Sequence, residues 1–323
     1  MINFRFSVDD IARTRFAISP MWETAAAIRA LRNPSALALH LPWVKRIRPK
    51  LRELDLSLPL ALLPRKGYIA DFLTPPPSTP LASFEDELEL VRTTPADLIR
   101  HDVGVLLSDG IPREQLQPYL DDPRGTVERL AEVLRRFWEV ALKQDWPRIQ
   151  AVLEADIAYR SRRLAEGGLA KLFADLHPEV EWTQGEGKLS VHRPCAIPNL
   201  PLDGKGLLLV PSAFSSQHTA AMTEAPWQPT LIYPARGIGL LWESAPTPPD
   251  ALAKVLGQGR AAVLADLDAP RTTTELARRL GMSPGGVSQH LAALRDAGLV
   301  SAQRNGRSVL YCRSPLADEL VTA

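Results

Sequence analysis

The sequence predicts an α+β protein, mostly helical: an N-terminal helical domain with a small antiparallel sheet, followed by a C-terminal winged helix-turn-helix. Three observations predict it. Residues 124–176 repeat apolar side chains at helical spacing. Between Val180 and Trp242 the chain changes to short β-rich runs bounded by Gly and Pro. From Thr272 to Tyr311, TTTELARRLGMSPGGVSQHLAALRDAGLVSAQRNGRSVLY reads as two short helices, a tight turn and a hairpin. The expected divisions are 1–80, a helical subdomain; 81–246, a bundle with the small sheet that serves sensing or dimerisation; and 250–323, the winged helix.

Ile2 to Phe6 reads as a short strand, and Ser7 with Asp10 three residues on has the spacing of a capping box that starts a helix. Ser19-Pro20 starts another, apolar at Trp22, Ala26 and Ile28 to Leu31. Pro34, Pro42, Pro49, Pro59 and Pro64 then cut the chain into short helices. The run Thr74 to Pro80, TPPPSTP, predicts a stiff polyproline-like connector that separates the N-terminal subdomain from the bundle.

Val127, Leu130, Ala131, Leu134, Phe137, Trp138 and Leu142 form one helical face; Ile149, Val152, Leu153, Ile157 and Leu164 form another after Pro147. These are bundle helices, read either as an intramolecular core or as a dimer interface. The strands expected next are KLSVHR from Lys188, GLLLVPSAF from Gly206 and TLIYPA from Thr230. A bundle joined to a sheet can enclose a pocket, and Trp22, Trp43, Trp182, Trp227 and Tyr233 are the aromatic candidates for its lining.

In the C-terminal region Thr272 and Glu275 have capping-box spacing, so a helix starts there, turns Leu276, Ala277 and Leu280 inward and stops at Gly281. Ser283-Pro284 starts a second helix that runs to about Ala297 and ends at Gly298. On it Val287, Leu291 and Leu294 share the inner face. At about 100° per residue Gln289 points away from that stripe, with Gly285 and Ala292 near it and Ser288 at the flank. Such a small, polar face can enter a major groove, where Gln pairs bidentately with adenine and Ser with several bases. His290 lies nearer the apolar stripe and has two readings, a contact with the DNA backbone or a brace for helix packing. Asn305-Gly306 between alternating runs predicts the hairpin, with Arg304 and Arg307 at its tip, where they can reach phosphates or a narrow minor groove. The candidate DNA contacts are therefore Thr272, Ser283, Gly285, Ser288, Gln289, His290, Arg295, Arg304, Asn305 and Arg307.

Composition excludes a generally basic protein, since the formal net charge of the 323 residues is +1. Locally, from Arg260 to Arg313, eight arginines (260, 271, 278, 279, 295, 304, 307, 313) face four acids (266, 268, 275, 296), a balance of 8 − 4 = +4. No apolar run approaches the ~18 residues of a membrane helix, and Arg5, Asp9, Asp10, Arg13 and Arg15 stand where a signal peptide needs an apolar core. Cys195 and Cys312 are far apart, as suits a reducing cytoplasm. The expected location is cytoplasmic, without a membrane partner.

Three enzyme-like coincidences fail. GEGKLS at 185–190 needs Gly at Trp182 and Ser or Thr at Leu189 to be a phosphate loop. His192 and Cys195 give half a zinc site that His177 or His218 would complete, but Pro194 lies between them and there is no second close pair. Ser215, Ser216 and His218 are sequence neighbours with no nucleophile elbow. The expectation is a non-enzyme with no metal and no cofactor.

TTTELARRLGMSPGGVSQHLAALRDAGLV and the RNGRSVLY hairpin, over roughly Leu252 to Arg313, resemble the ArsR-type winged-helix repressors of bacteria. The resemblance implies a homodimer on a near-palindromic operator in double-stranded DNA, usually a repressor released by an effector, here an unidentified small molecule. It maps the base-reading helix onto Ser283 to Ala297, with Ser288, Gln289 and His290 towards DNA. Metal-sensing members carry a cysteine pair on the preceding helix or a histidine and carboxylate set on a C-terminal helix; this chain has neither. The opening MINFRFSVDDIARTRFAISPMWETAAAIRALRNP resembles a domain of unknown function fused to ArsR-type modules in actinobacteria. The rival reading is a binding or enzymatic N-terminal domain whose winged helix serves protein contact.

Overall fold

A computed structural model of the chain describes residues 1–32, 39–193, 197–215, 218–242, 250–268, 270–305 and 308–322. They form two compact units, Met1–Trp242 and Glu243–Ala323. The first contains β1 (Ile2–Arg5), α1 (Val8–Arg13), β2 (Arg15–Phe16), α2 (Pro20–Ala30), α3 (Leu41–Ile47), α4 (Ser57–Leu62), α5 (Phe84–Arg92), α6 (Ala96–Ser108), α7 (Arg113–Asp121), α8 (Pro123–Phe137) and α9 (Trp146–Phe173). It continues with β3 (Val180–Thr183), β4 (Lys188–Val191), β5 (Ile197–Pro201), β6 (Leu208–Ser212), β7 (Ala220–Met222) and β8 (Thr230–Pro234).

Local chemistry starts these helices as the sequence predicts. The Ser7 hydroxyl accepts the Asp10 N–H while the Asp10 carboxylate accepts the Ser7 N–H at 2.8 Å, and Ser19 Oγ accepts the Trp22 N–H at 2.9 Å. Pro147 falls in the first turn of α9, after a π-helical turn over residues 138–142. Gly167 and Gly168, the latter at φ +63°, kink α9 so that Leu169, Leu172 and Phe173 enter a different core from Ile149 and Leu153.

The α+β class holds, but the sheet part differs from the single antiparallel sheet expected. Among the described residues of this unit there are two mixed sheets, ordered β3-β4-β1-β5 and β2-β6-β8-β7. β1 is antiparallel to β4 and parallel to β5; β2, β6 and β8 are parallel, with β7 antiparallel at the edge. The N-terminal segment supplies a strand to each, so pairing direction is set by partners nearly two hundred residues away. Side chains alternate across a strand, which makes the second sheet a partition. Leu208, Val210 and Ile232 face the helical core; Leu207, Leu209, Leu231 and Tyr233 face the core of the first sheet. Burial on both faces accounts for the apolar run over residues 207–210 that opens β6.

The 74–80 connector does not divide the unit. Met21 and Leu62 on one side share a core with Leu88, Val103 and Leu130 on the other. Prolines lack the N–H that burial would leave unsatisfied, and the run serves as a strap: Pro80 O accepts the Ile18 N–H at 2.9 Å and Pro77 O accepts Arg15 Nη2 at 3.1 Å.

The second unit contains α10 (Asp250–Leu256), α11 (Gln258–Asp266), α12 (Thr273–Leu280), α13 (Pro284–Asp296), β9 (Val300–Asn305), β10 (Ser308–Arg313) and α14 (Pro315–Thr322). Its core joins Leu252, Val263, Leu264, Leu276, Val287, Leu291, Leu294 and Ala317. Among the described residues no helix is long and apolar enough to cross a membrane.

Candidate nucleic-acid interface

The helix pair is built by its caps. Thr272 Oγ1 accepts the Glu275 N–H at 3.3 Å and the Glu275 carboxylate accepts the Thr272 N–H at 2.7 Å, completing a capping box, while the Thr272 hydroxyl donates to the same carboxylate at 2.9 Å. Gly281 at φ +65° takes the left-handed conformation that closes α12, a position L side chains resist. Two residues on, Ser283 Oγ accepts the Gly286 N–H at 3.1 Å and α13 begins. The backbone of Arg271 exchanges two hydrogen bonds with Tyr311, at 3.1 and 2.8 Å, fixing the start of α12 to the hairpin.

On α13 Val287, Leu291 and Leu294 are buried, whereas Gly285, Ser288, Gln289, Ala292 and Arg295 are exposed. A Cβ on Gly285 would meet nothing within 4 Å, so the small face is open. The hairpin pairs Asn305 with Ser308 and Arg304 with Val309. Arg307 lies outside the described residues, as do the side chains of Arg304 and Asn305.

Two candidates also hold the module together. His290 is half-buried, and its imidazole lies over Gly259 of α11, where a Cβ would come within 2.6 Å of Nε2. The ring thus lies between α13 and α11. Thr272 is half-buried with its hydroxyl engaged on both sides by the capping box, so it shapes the helix start. Ser283 also caps, but is exposed.

The local charge sorts into two groups. Asp266 is fully buried and accepts Arg279 Nε at 3.0 and 2.9 Å, with Arg271 Nε 3.8 Å from its carboxylate. Burial pushes its carboxyl up, opposed by the Arg279 hydrogen bond. Arg271 also meets Asp268 at 2.6 Å, and Arg313 meets Asp318 at 2.8 Å. Arg260, Arg278 and Arg295 are exposed. Arg278 is a residue the sequence reading missed. Two positions past Leu276, it lies about 200° around the helix from that buried residue, which the periodicity used for Gln289 would have revealed.

In the first unit the five pocket aromatics divide between two cores, Trp22, Trp43 and Trp227 with the helical core and Trp182 and Tyr233 with that of the first sheet. Trp43 stacks on Trp242 at 6.1 Å, Trp182 packs edge-on to Phe6 at 5.3 Å, Tyr233 is buried in the second core, and Trp22 Nε1 donates to Ser215 Oγ at 3.2 Å. The histidines sit beside carboxylates: His218 Nδ1 is 2.8 Å and His177 Nδ1 3.6 Å from Glu179, and His192 is 3.5 Å from Glu181. Cys195 and Ser216 lie outside the described residues. Among the described residues no three His, Cys, Asp or Glu side chains are arranged to hold a metal ion.

Residues 263–302 match the family described as bacterial regulatory protein, arsR family, and residues 110–239 match a family of unknown function, DUF5937. The first match runs from α11 into β9 and contains both helices of the pair. No curated protein and no solved structure matches the chain.

Proposed function

For a chain that fuses an arsR-family DNA-binding regulatory module to a DUF5937 domain, we propose a cytoplasmic, homodimeric transcriptional repressor with no catalytic role. Two copies of α13 enter successive major grooves of a near-palindromic operator, and the hairpin tips track the flanking backbone. The observation that carries this reading is the division of α13, which buries Val287, Leu291 and Leu294 and leaves Gly285, Ser288, Gln289 and Ala292 exposed. Gln289 reads adenine bidentately, Ser288 reads a neighbouring base, and Gly285 and Ala292 let the helix sink far enough to do so. Arg295, Arg304 and Arg307 hold the register through phosphates. Met1–Trp242 acts as the sensing part and answers to a small-molecule effector.

The test is selection of sheared host genomic DNA by the purified protein at about 0.15 M salt, the physiological level. A few near-palindromic sites are expected, each bound by two chains. Gln289→Ala with Arg307→Ala abolishes retention, and Gln289→Ala alone weakens it by about ten- to a hundredfold, as removal of one bidentate base pairing worth about 1–3 kcal/mol requires. A flat profile that these substitutions leave unchanged overturns the placement on DNA and favours a winged helix that contacts protein.

A further inference from the structure

A groove of about 620 Å3 opens where the end of α1 meets the chain before β8, within the range of small-molecule sites. It is lined by Arg13, Thr14, Arg15, Lys205, Pro226 and Gln228, with Ala12 at one edge. Its walls are pinned by the backbone. Gly206 N–H donates to Asp10 at 3.1 Å, Leu207 N–H to Thr14 Oγ1 at 3.2 Å, and Arg15 N–H to Leu207 O at 3.2 Å. Gly206, at φ +69°, permits this approach, since a Cβ there would come within 2.5 Å of the Arg13 carbonyl carbon.

The two arginines of this groove are held in place without being neutralised. Arg13 Nη1 donates to Gly204 O at 2.8 Å, and Arg15 Nη2 donates to Pro77 O at 3.1 Å and Gln228 Oε1 at 3.0 Å. Gln228 is fixed in turn by donating to Lys205 O at 3.0 Å. Every one of those acceptors is uncharged. The groove lining contains no carboxylate, and among the described residues neither arginine nor Lys205 has an ion-pair partner. Asp10, next along α1, turns its carboxylate to Ser7 and Gly206. Arg15 Nη1 is buried with no hydrogen-bond partner, and burial draws the guanidinium pKa down. A desolvated cation without an anion is costly. On the other side Val8 and Ile11 are exposed, at 83% and 46%, and share a face of α1 with Ala12.

We propose that this groove binds a small amphipathic organic anion, its phosphate or carboxylate head on Arg13, Arg15 and Lys205 and its short apolar body along Ala12, Ile11 and Val8. This deepens the effector reading above and rests on it for the ligand's role, though not for its binding.

Titration calorimetry of the full chain at constant ionic strength tests it, with hexyl phosphate and hexanoate as the two head-group arms and hexylammonium as the control. Saturable binding of at least one anion and none of the cation is expected, with inorganic phosphate weaker than hexyl phosphate. Arg13→Glu with Lys205→Glu, both at exposed positions, weakens binding at least tenfold while tryptophan fluorescence stays native; Arg15→Gln is a second variant inside the groove. Absence of saturable binding, or equal affinity in the variants, overturns the site and leaves the DNA-binding reading standing. Binding that leaves operator affinity unchanged supports the site and sinks the effector role.

Discussion

Glu87 and Glu23 fasten α2 from two directions. Glu87 Oε2 accepts the Met21 N–H at 2.8 Å, and Glu23 accepts the N–H groups of Ala213 and Phe214 at 2.9 and 3.2 Å. Both are buried, and desolvation pushes Glu23 up to about 7 and Glu87 to about 8, from an ordinary value of 4.5, although their hydrogen bonds pull the other way. A raised carboxyl holds its proton more tightly in the folded state. Its contribution is therefore fully favourable below about 4.5 and is lost as pH rises through about 7 to 8. Melting followed by tryptophan fluorescence, which reports Met1–Trp242 because all seven tryptophans lie there, should give a Tm that falls steadily from pH 5.5 to pH 9. Glu87→Gln keeps a carbonyl for Met21 and removes one ionisation, so its Tm should exceed that of the parent increasingly with pH, each unit of displaced pKa corresponding to about 1.4 kcal/mol. A pH-independent difference between the two proteins would contradict this. Neither glutamate could be singled out in the sequence, because what buries Glu23 is a strand end 190 residues away.

Elements whose start or stop is written in a few adjacent residues were legible: Ser7 and Asp10 for α1, Ser19-Pro20 for α2, Thr272 and Glu275 for α12, Ser283-Pro284 for α13. So was the inner stripe of α13, and with it the candidate interface, since a single helix carries its own periodicity. Strand direction was not legible, because β1 and β2 take partners from the far end of the unit. Nor was the use of TPPPSTP as a strap, which depends on Ile18 and Arg15. His290 shows the same limit on α13: its angle left two readings, and the contact behind the bracing one, with Gly259, comes from another helix. Gly259→Ala gains helix propensity of up to about 1 kcal/mol but places a methyl 2.6 Å from His290 Nε2, so the ring must move. The single substitution should lower stability of the winged unit, and adding His290→Ala should recover it, with a coupling on the order of 1 kcal/mol in a double-mutant cycle read by urea melts. Additive effects would show that the ring does not brace the two helices.

The whole chain is nearly neutral, at +1 over 323 residues, so its attraction to DNA must come from how charge is distributed. Of the eight arginines counted between 260 and 313, three are held by acids: Arg271 and Arg279 by Asp266, with Asp268 also on Arg271, and Arg313 by Asp318. These pairs fix the module's architecture. The net +4 therefore understates the separation, for Arg278 on α12 and Arg295 on α13 stand exposed. Salt titration of operator binding distinguishes the two sets. Arg295→Gln should shrink the slope of log K against log salt by up to about 0.9 for each phosphate no longer neutralised, twice that for a dimer, and leave folding unchanged; Arg278→Gln should act similarly. Arg279→Gln should leave the slope of the surviving complex alone and lower stability instead, by about 3–5 kcal/mol if Asp266 stays charged without it, a loss that shrinks as falling pH protonates the raised Asp266 carboxyl. A slope that falls with Arg279→Gln and not with Arg295→Gln would mean that the module meets the duplex with another face.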